Sequence, residues 1–244
     1  MAELLRLDRL RAGYGEAVVL ADVSISIEQG QSLALLGRNG MGKSTLLNSI
    51  VGVTRYRGGS ITLGGRDITR LSPERRAIAG VGWVPQERNI FRSLTVHENL
   101  TAVALPGPWT PARVYDMFPR LAERKTNLGN QLSGGEQQML AVGRALVLNP
   151  KIVLLDEPLE GLAPIIVDEL LAALQRLIRE EHMSAILVEQ NPQKILPVTD
   201  RAVILERGAV VHEAASDALR EDRAILETYL GITDHGPRRG KSAH

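Results

Sequence analysis

Three spacings of apolar residues alternate along this chain. From Leu4 to Leu10 apolar and charged positions alternate, and the alternation returns from Val18 to Ile27 through Val19, Val23, Ile25 and Ile27. A period of two predicts two strands of an antiparallel sheet with one face buried. The second spacing is an unbroken short run, as in Leu33-Ala34-Leu35-Leu36, Gly80 to Val84, Ile152-Val153-Leu154-Leu155 and Ala185 to Val188. Such runs predict strands covered on both faces, as parallel strands between layers are. The third follows helical periodicity. It covers Thr45 to Ile50, Leu94 to Val103, Pro111 to Leu121, the set Met139, Leu140, Val142, Leu146 and Val147, and the set Val167, Leu170, Leu171, Leu174, Leu177 and Ile178.

Punctuation between these segments is clear. Gly58 to Ile68 predicts a hairpin closed at Gly64-Gly65. Ser72-Pro73 opens a short helix, and Pro164 opens a long amphipathic one. Pro106-Gly107-Pro108-Trp109 separates two helical stretches because it can continue neither. Strands from Arg201 to Leu205 and Ala209 to His212 flank the turn Arg207-Gly208, and a terminal helix is expected from about Asp217 to Tyr229.

The stretch around which the chain is organised lies between the first apolar run and the first helix. Gly37-Arg38-Asn39-Gly40-Met41-Gly42-Lys43-Ser44-Thr45 matches G-x-x-x-x-G-K-[ST] at every fixed position, in the strand, loop, helix order that gives the pattern its meaning. Gly37, Gly40 and Gly42 let the backbone curl so that N–H groups, with the amides of the helix opening at Lys43, face phosphate oxygens. Asn39 and Thr45 belong to the same cradle. Lys43 reaches the outer phosphates as a point charge, and Ser44 offers a hydroxyl to a bridging magnesium ion.

Further polar residues stand where apolar strands end. Asp156-Glu157-Pro158 follows a run of four aliphatic residues, and two carboxylates leaving a core strand are costly unless they serve a cation or a proton. Asp156 fits a magnesium ligand, held mostly through water, and Glu157 fits the base or the orienting acceptor for an attacking water. Gln86, just past Val84, either touches a metal-bound water or is a polar loop residue. Ser133-Gly134-Gly135-Glu136 is either a plainly capped helix or a helix mouth whose bare amides hold an anion. Tyr14, in a glycine turn, either stacks on a purine ring or packs locally.

Composition changes the picture little. The 244 residues carry a formal net charge of +1 and no cysteine. The charge gives no electrostatic case for nucleic acid, and the cysteine count excludes disulfides and thiolate metal sites. No run approaches the roughly 20 apolar residues needed to span a bilayer, and the start lacks the order of a secretory signal. A membrane role is therefore expected to come through a partner. Residues 236–244, with no large apolar side chain, are expected to be a disordered tail after a single domain over residues 1–235.

The phosphate loop, Gln86, Leu132-Ser133-Gly134-Gly135-Glu136-Gln137 and Leu154-Leu155-Asp156-Glu157-Pro158 occur in that order in one chain, and the resemblance they carry covers about residues 4 to 231. Together they resemble the ATPase subunit of an ATP-binding cassette transporter, and Ser-Gly-Gly is the specific element. The resemblance implies an α/β fold, a P-loop NTPase core with an N-terminal antiparallel β subdomain and a helical subdomain inserted at residues 87–145. It implies ATP and Mg2+ as ligands, with Tyr14 as the adenine-stacking aromatic and Gly37 to Thr45 as the phosphate site. Gln86 becomes the link between metal site and membrane partner, Asp156 the metal ligand and Glu157 the catalytic carboxylate. Ser133, Gly134 and Gly135 become the surface closing on ATP held by a second ATPase subunit. Two membrane permeases complete the expected assembly at the cytoplasmic face of the membrane, with a periplasmic binding protein as an indirect partner.

Val84 to Phe91, Leu132 to Leu146, Glu160-Gly161-Leu162-Ala163-Pro164 and Leu187-Val188-Glu189-Gln190-Asn191 are similar to the second ATPase of branched-chain amino acid importers, whose cousins serve urea and short amides. Gln190 stands where most cassette ATPases place a switch histidine. It can hydrogen-bond a terminal phosphate but cannot carry its proton. Leu159 and Ala163 replace residues that usually reach across the subunit interface. The segment from Leu105 to Asn130 is shorter and richer in proline than in that branch. A lipid or lipopolysaccharide exporter shares the same core and is the rival within transport; a non-transport cassette ATPase is the rival outside it.

Overall fold

A computed structural model describes residues 2–231; the expected tail at 236–244 lies outside them. Among these described residues ten strands and ten α-helices follow one another. The strands are β1 (Glu3–Tyr14), β2 (Ala17–Glu28), β3 (Ser32–Leu36), β4 (Arg55–Leu63), β5 (Arg66–Asp67), β6 (Val81–Val84), β7 (Ile152–Asp156), β8 (Ser184–Val188), β9 (Arg201–Glu206) and β10 (Ala209–Ala215). The helices are α1 (Lys43–Val51), α2 (Pro73–Ala79), α3 (Val96–Thr101), α4 (Pro111–Met117), α5 (Pro119–Glu123), α6 (Gly134–Leu146), α7 (Pro164–Arg179), α8 (Pro192–Ile195), α9 (Ser216–Glu221) and α10 (Arg223–Leu230).

The unbroken apolar runs become the centre of a six-stranded sheet in the order β10-β9-β3-β8-β7-β6. Its strands from β9 to β6 are parallel, and β10 returns antiparallel beside β9. The period of two decides which face each side chain covers. Leu33, Leu35, Leu154, Ile186 and Val188 point into one core with Leu46, Leu47 and Ile50 of α1. Ala34, Leu36, Val153, Leu155, Ala185 and Leu187 point into the other, with the apolar faces of α6 and α7.

The alternating segments form a second, antiparallel sheet in the order β2-β1-β4-β5, which lays Leu5, Leu7, Leu10, Val23, Ile25 and Ile61 on the α1 side. Its last hairpin turns at Gly64-Gly65, both in the left-handed region (φ 56° and 76°), as a two-residue turn matched to strand twist requires. Helices α3 to α6 occupy residues 96–146 between β6 and β7. A polar clamp holds the proline-rich segment among them: Asn149 accepts from Trp109 N at 2.7 Å and donates to Leu105 O at 2.8 Å.

Three expected helices differ in extent. The helix expected over Pro111 to Leu121 breaks at Phe118 (φ −126°, ψ 79°), because Pro119 has no N–H to give the preceding turn and its ring restricts residue 118. The terminal helix divides at Asp222, whose carboxylate accepts from Ile225 N at 3.1 Å and so caps α10. The helix expected over Leu94 to Val103 is trimmed to Val96–Thr101, with Thr95 and Glu98 closing a capping box ahead of it.

Candidate active site

β3 delivers the glycine-rich loop at the carboxyl edge of the parallel sheet, where β6, β7 and β8 also end. Two of its glycines are demanded by geometry. Gly37 (φ 147°) passes so close to β9 that a Cβ would stand 2.5 Å from Leu205 O. Gly42 adopts φ 103° at the N-terminus of α1, where no side chain caps the helix. The first amides of α1 therefore have neither an intrahelical acceptor nor a capping side chain, which is how an anion site is built. The side chain of Lys43 is buried and arches back over the loop, with Nζ donating to Gly37 O at 2.8 Å and Arg38 O at 3.1 Å. Burial lowers the Lys43 pKa, opposed by the charges of Glu157, Asp156 and Glu189.

Strand β8 lies between β3 and β7, so the loop after β3 and the carboxylates after β7 face each other across one strand. Ser44 Oγ donates to Asp156 Oδ1 at 3.2 Å. Burial is the main cause raising the Asp156 pKa, and Glu157 and Glu87 add to it, while Ser44 and Lys43 oppose. Glu157 is half-buried, held at φ 46° with its N–H on Val188 O at 3.0 Å. A positive φ on a non-glycine residue is stored strain, and here it turns the side chain out of the sheet edge.

Amide side chains then join the two loops. Asn39 Nδ2 donates to Gln190 Oε1 at 3.4 Å, Gln190 Nε2 donates to Glu157 Oε2 at 3.0 Å, and Gln86 Nε2 donates to the same oxygen at 3.4 Å. Asn39, Gly40, Gly42, Lys43, Ser44, Thr45, Gln86, Glu157 and Gln190 thereby line one cleft of about 300 Å³, with Val19 and Glu160 completing its wall. Ser44, Asp156 and Gln86 are hard oxygen donors at one place, a set suited to magnesium sharing its shell with phosphates and water. Among the described residues no three of His, Cys, Asp or Glu form a closed metal cage.

Six of the expected site residues do not line that cleft: Gly37 stands at the head of the loop, Asp156 meets the cleft through Ser44, and Tyr14, Ser133, Gly134 and Gly135 lie elsewhere. Tyr14 stands 45% exposed at the end of β1, its hydroxyl accepting from Asn48 Nδ2 of α1 at 2.8 Å. Ser133, Gly134 and Gly135 open α6, where Ser133 Oγ accepts from Glu136 N at 3.3 Å and Glu136 Oε2 accepts from Ser133 N at 2.8 Å. Gly135 is pressed against α7, its missing Cβ only 2.4 Å from Ile166 Cγ2.

The sequence reading passed over three residues. Arg88 Nε donates to Gln138 Oε1 of α6 at 2.9 Å, fastening the loop after Gln86 to the helix that Ser133 opens. Glu160 accepts from Gln86 Nε2 at 2.5 Å. Glu189 is buried at the end of β8, where it accepts from Leu159 N at 2.8 Å. An acidic residue directly after a four-residue apolar run was the available signal for Glu189; Glu160 had none beyond its nearness to Glu157.

The geometry agrees with comparison to known proteins. The ABC transporter family profile matches residues 20–160. This chain belongs to the ABC transporter family. It is 39% identical over 236 residues to the high-affinity branched-chain amino acid transport ATP-binding protein BraG of Pseudomonas aeruginosa, covering 93% of this chain and all of that one. It is 35% identical to the lipopolysaccharide export system ATP-binding protein LptB of Haemophilus influenzae, covering 93% and 97%. A nucleotide-free ATP-binding cassette of an ABC transporter superposes with a TM-score of 0.79 at 25% identity, over 95% of this chain and all of that one. The cassette is thus an ATP-binding subunit, an ATPase coupled to transport. Among the described residues of this ABC ATPase no helix is long and apolar enough to cross a membrane.

Proposed function

We propose that this ABC ATPase drives an importer of branched-chain amino acids or related small polar solutes, paired with a second ATPase subunit and two permeases and served indirectly by a periplasmic binding protein. On this reading it sits peripherally at the cytoplasmic face of the membrane. The observation that carries the catalytic part is the convergence of Lys43, Ser44, Gln86, Glu157 and Gln190 on one cleft, with Asp156 bonded to Ser44 at its edge. The importer assignment is supported by the names of BraG and of the LivF protein of Archaeoglobus fulgidus, which is 36% identical over 236 residues.

In this mechanism the amides of α1 and the Lys43 ammonium hold the terminal phosphates of ATP, replacing the carbonyls that Lys43 now contacts. Ser44, Asp156 and Gln86 would hold magnesium, which supplies charge neutralisation on the phosphates. Glu157 orients the attacking water or accepts its proton, and Gln190 steadies Glu157 from the other side. Tyr14 stacks on the adenine ring. Because Ser133, Gly134 and Gly135 stand off the cleft, they act on ATP held by a second subunit, so each site is completed in trans. Hydrolysis then weakens the bond between the halves and lets them part.

The 35% identity to LptB supports a second reading, the ATPase of a lipopolysaccharide exporter. Purification with the membrane proteins it binds, followed by transport assays in proteoliposomes, separates the two. ATP-driven uptake of a branched-chain amino acid supports import, and extraction of lipopolysaccharide without such uptake overturns it.

A further inference from the structure

One carboxylate on the cleft has no part in the mechanism above. Glu160 is exposed, and its side chain is aimed at Gln86. The 2.5 Å bond from Gln86 Nε2 to Glu160 Oε2 is far shorter than the 3.4 Å bond from the same nitrogen to Glu157. The main chain of Glu160 is tied into the same loop, its carbonyl accepting from Arg88 Nη2 at 3.5 Å.

An ionised carboxylate accepts hydrogen bonds and donates none, whereas the two ends of a glutamine amide differ in chemistry while being nearly equal in shape. An exposed amide left to itself samples both flips. Here two carboxylates lie on one side, so the NH2 end is drawn toward them and Oε1 is turned away. That oxygen accepts no hydrogen bond among the described residues, and it is the end of the amide able to face a cation or a metal-bound water. Glu157 gives only the longer contact, which leaves Glu160 as the group that decides the flip.

We infer that Glu160 is a positioning residue that fixes the orientation of the Gln86 amide, so that the magnesium-dependent part of nucleotide affinity depends on it. The inference rests on the assignment of Gln86 to the metal site proposed above. A competing effect is simple charge: a carboxylate beside the site attracts magnesium and repels metal-free nucleotide whether or not Gln86 is present. The two effects differ in their dependence on Gln86.

The test is a double-mutant cycle on the full chain, reading binding by calorimetry with the non-hydrolysable imido analogue of ATP. Each protein is titrated once with saturating magnesium and once with EDTA, and the ratio of the two Kd values is its metal-dependent gain. Glu160→Ala should reduce that ratio about three- to tenfold, the worth of one hydrogen bond at a partly solvated site. In a Gln86→Ala background the same substitution should leave the ratio unchanged. An unchanged ratio for Glu160→Ala alone overturns the inference, as does a loss of equal size in both backgrounds, which would be charge acting directly. If Gln86→Ala by itself leaves the ratio at its wild-type value, the Gln86 assignment fails instead, and the two failures are told apart by that single variant.

Discussion

Glu189→Gln should make this protein more stable at neutral pH and leave it unchanged in acid. Glu189 is only 6% exposed at the end of β8, and its carboxylate accepts from Leu159 N at 2.8 Å. Burial pushes its carboxyl from 4.5 up to about 7; the nearby charge of Glu157 adds to this, and the Leu159 N–H, Lys194 and the Gln190 N–H oppose it. In the unfolded chain the group titrates near its ordinary value. Between these two values the folded protein keeps a proton that the unfolded chain has released. The stability contributed by the neutral, buried form is therefore complete below about pH 4.5 and is lost as pH rises through about 7.

At about 1.4 kcal/mol per pH unit, the interval from 4.5 to about 7 amounts to about 3 kcal/mol. Glutamine keeps an acceptor for Leu159 N and never ionises, so the difference between the two proteins isolates this one titration from those of Asp156 and Lys43. Urea unfolding of the nucleotide-free chain at pH 5, 6, 7 and 8 and fixed ionic strength provides the assay. The Gln variant should exceed wild type by about 1 kcal/mol at pH 5 and by about 3 kcal/mol at pH 8. Parallel curves, or a wild type that gains on the variant as pH rises, would refute the argument.

Three other substitutions follow from the same geometry. Glu157→Gln should bind ATP with near wild-type affinity and lose about 100-fold or more in turnover; retention of most of the rate in steady-state assays removes Glu157 from its proposed role. Arg76→Met should cost about 3 kcal/mol in urea unfolding, because the buried guanidinium donates to Ser49 O, Ile50 O, Thr69 O and Leu71 O at 2.6 to 2.9 Å, and these carbonyls would be left without a donor. Gly135→Ala should destabilise by about 1–3 kcal/mol through its collision with Ile166, and Gly135→Ala with Ile166→Ala should recover most of the loss when both are measured by thermal unfolding.

Much of the fold was legible because period-two and unbroken apolar runs differ for a physical reason. A strand with one wet face must alternate, and a strand between two layers must not. Beyond Leu33 to Leu36 and Ile152 to Leu155, the same logic located β6 and β8. Helix breaks were harder to read, since apolar spacing continues across Phe118 and Asp222 while the backbone does not. Pro119 was nonetheless a local signal for the first break, and the Asp222 side chain, as a cap, for the second. At the site, motif spacing picked out the residues that the proposed mechanism sets against the phosphates. It could not show that Glu160 lines the same cleft or that Glu189 is buried against Leu159 N, because those contacts depend on how the loops after β7 and β8 lie against each other.

Gln190 shows how that arrangement constrains the chemistry. Its amide is spent at both ends, accepting from Asn39 and donating to Glu157, so the bonds run in one direction from the phosphate loop to the carboxylate. An imidazole in this place could take a proton at one nitrogen and give one at the other, whereas an amide can only orient. No histidine lines the cleft among the described residues. In the proposed mechanism, the proton of the attacking water must therefore pass to Glu157 or to a phosphate oxygen, and residue 190 serves to hold Glu157 against the strain of its positive φ. The division of labour follows from the amide: with residue 190 unable to take a proton, the proposed mechanism leaves that task to a carboxylate, and the Gln190 bond holds Glu157 ready for it.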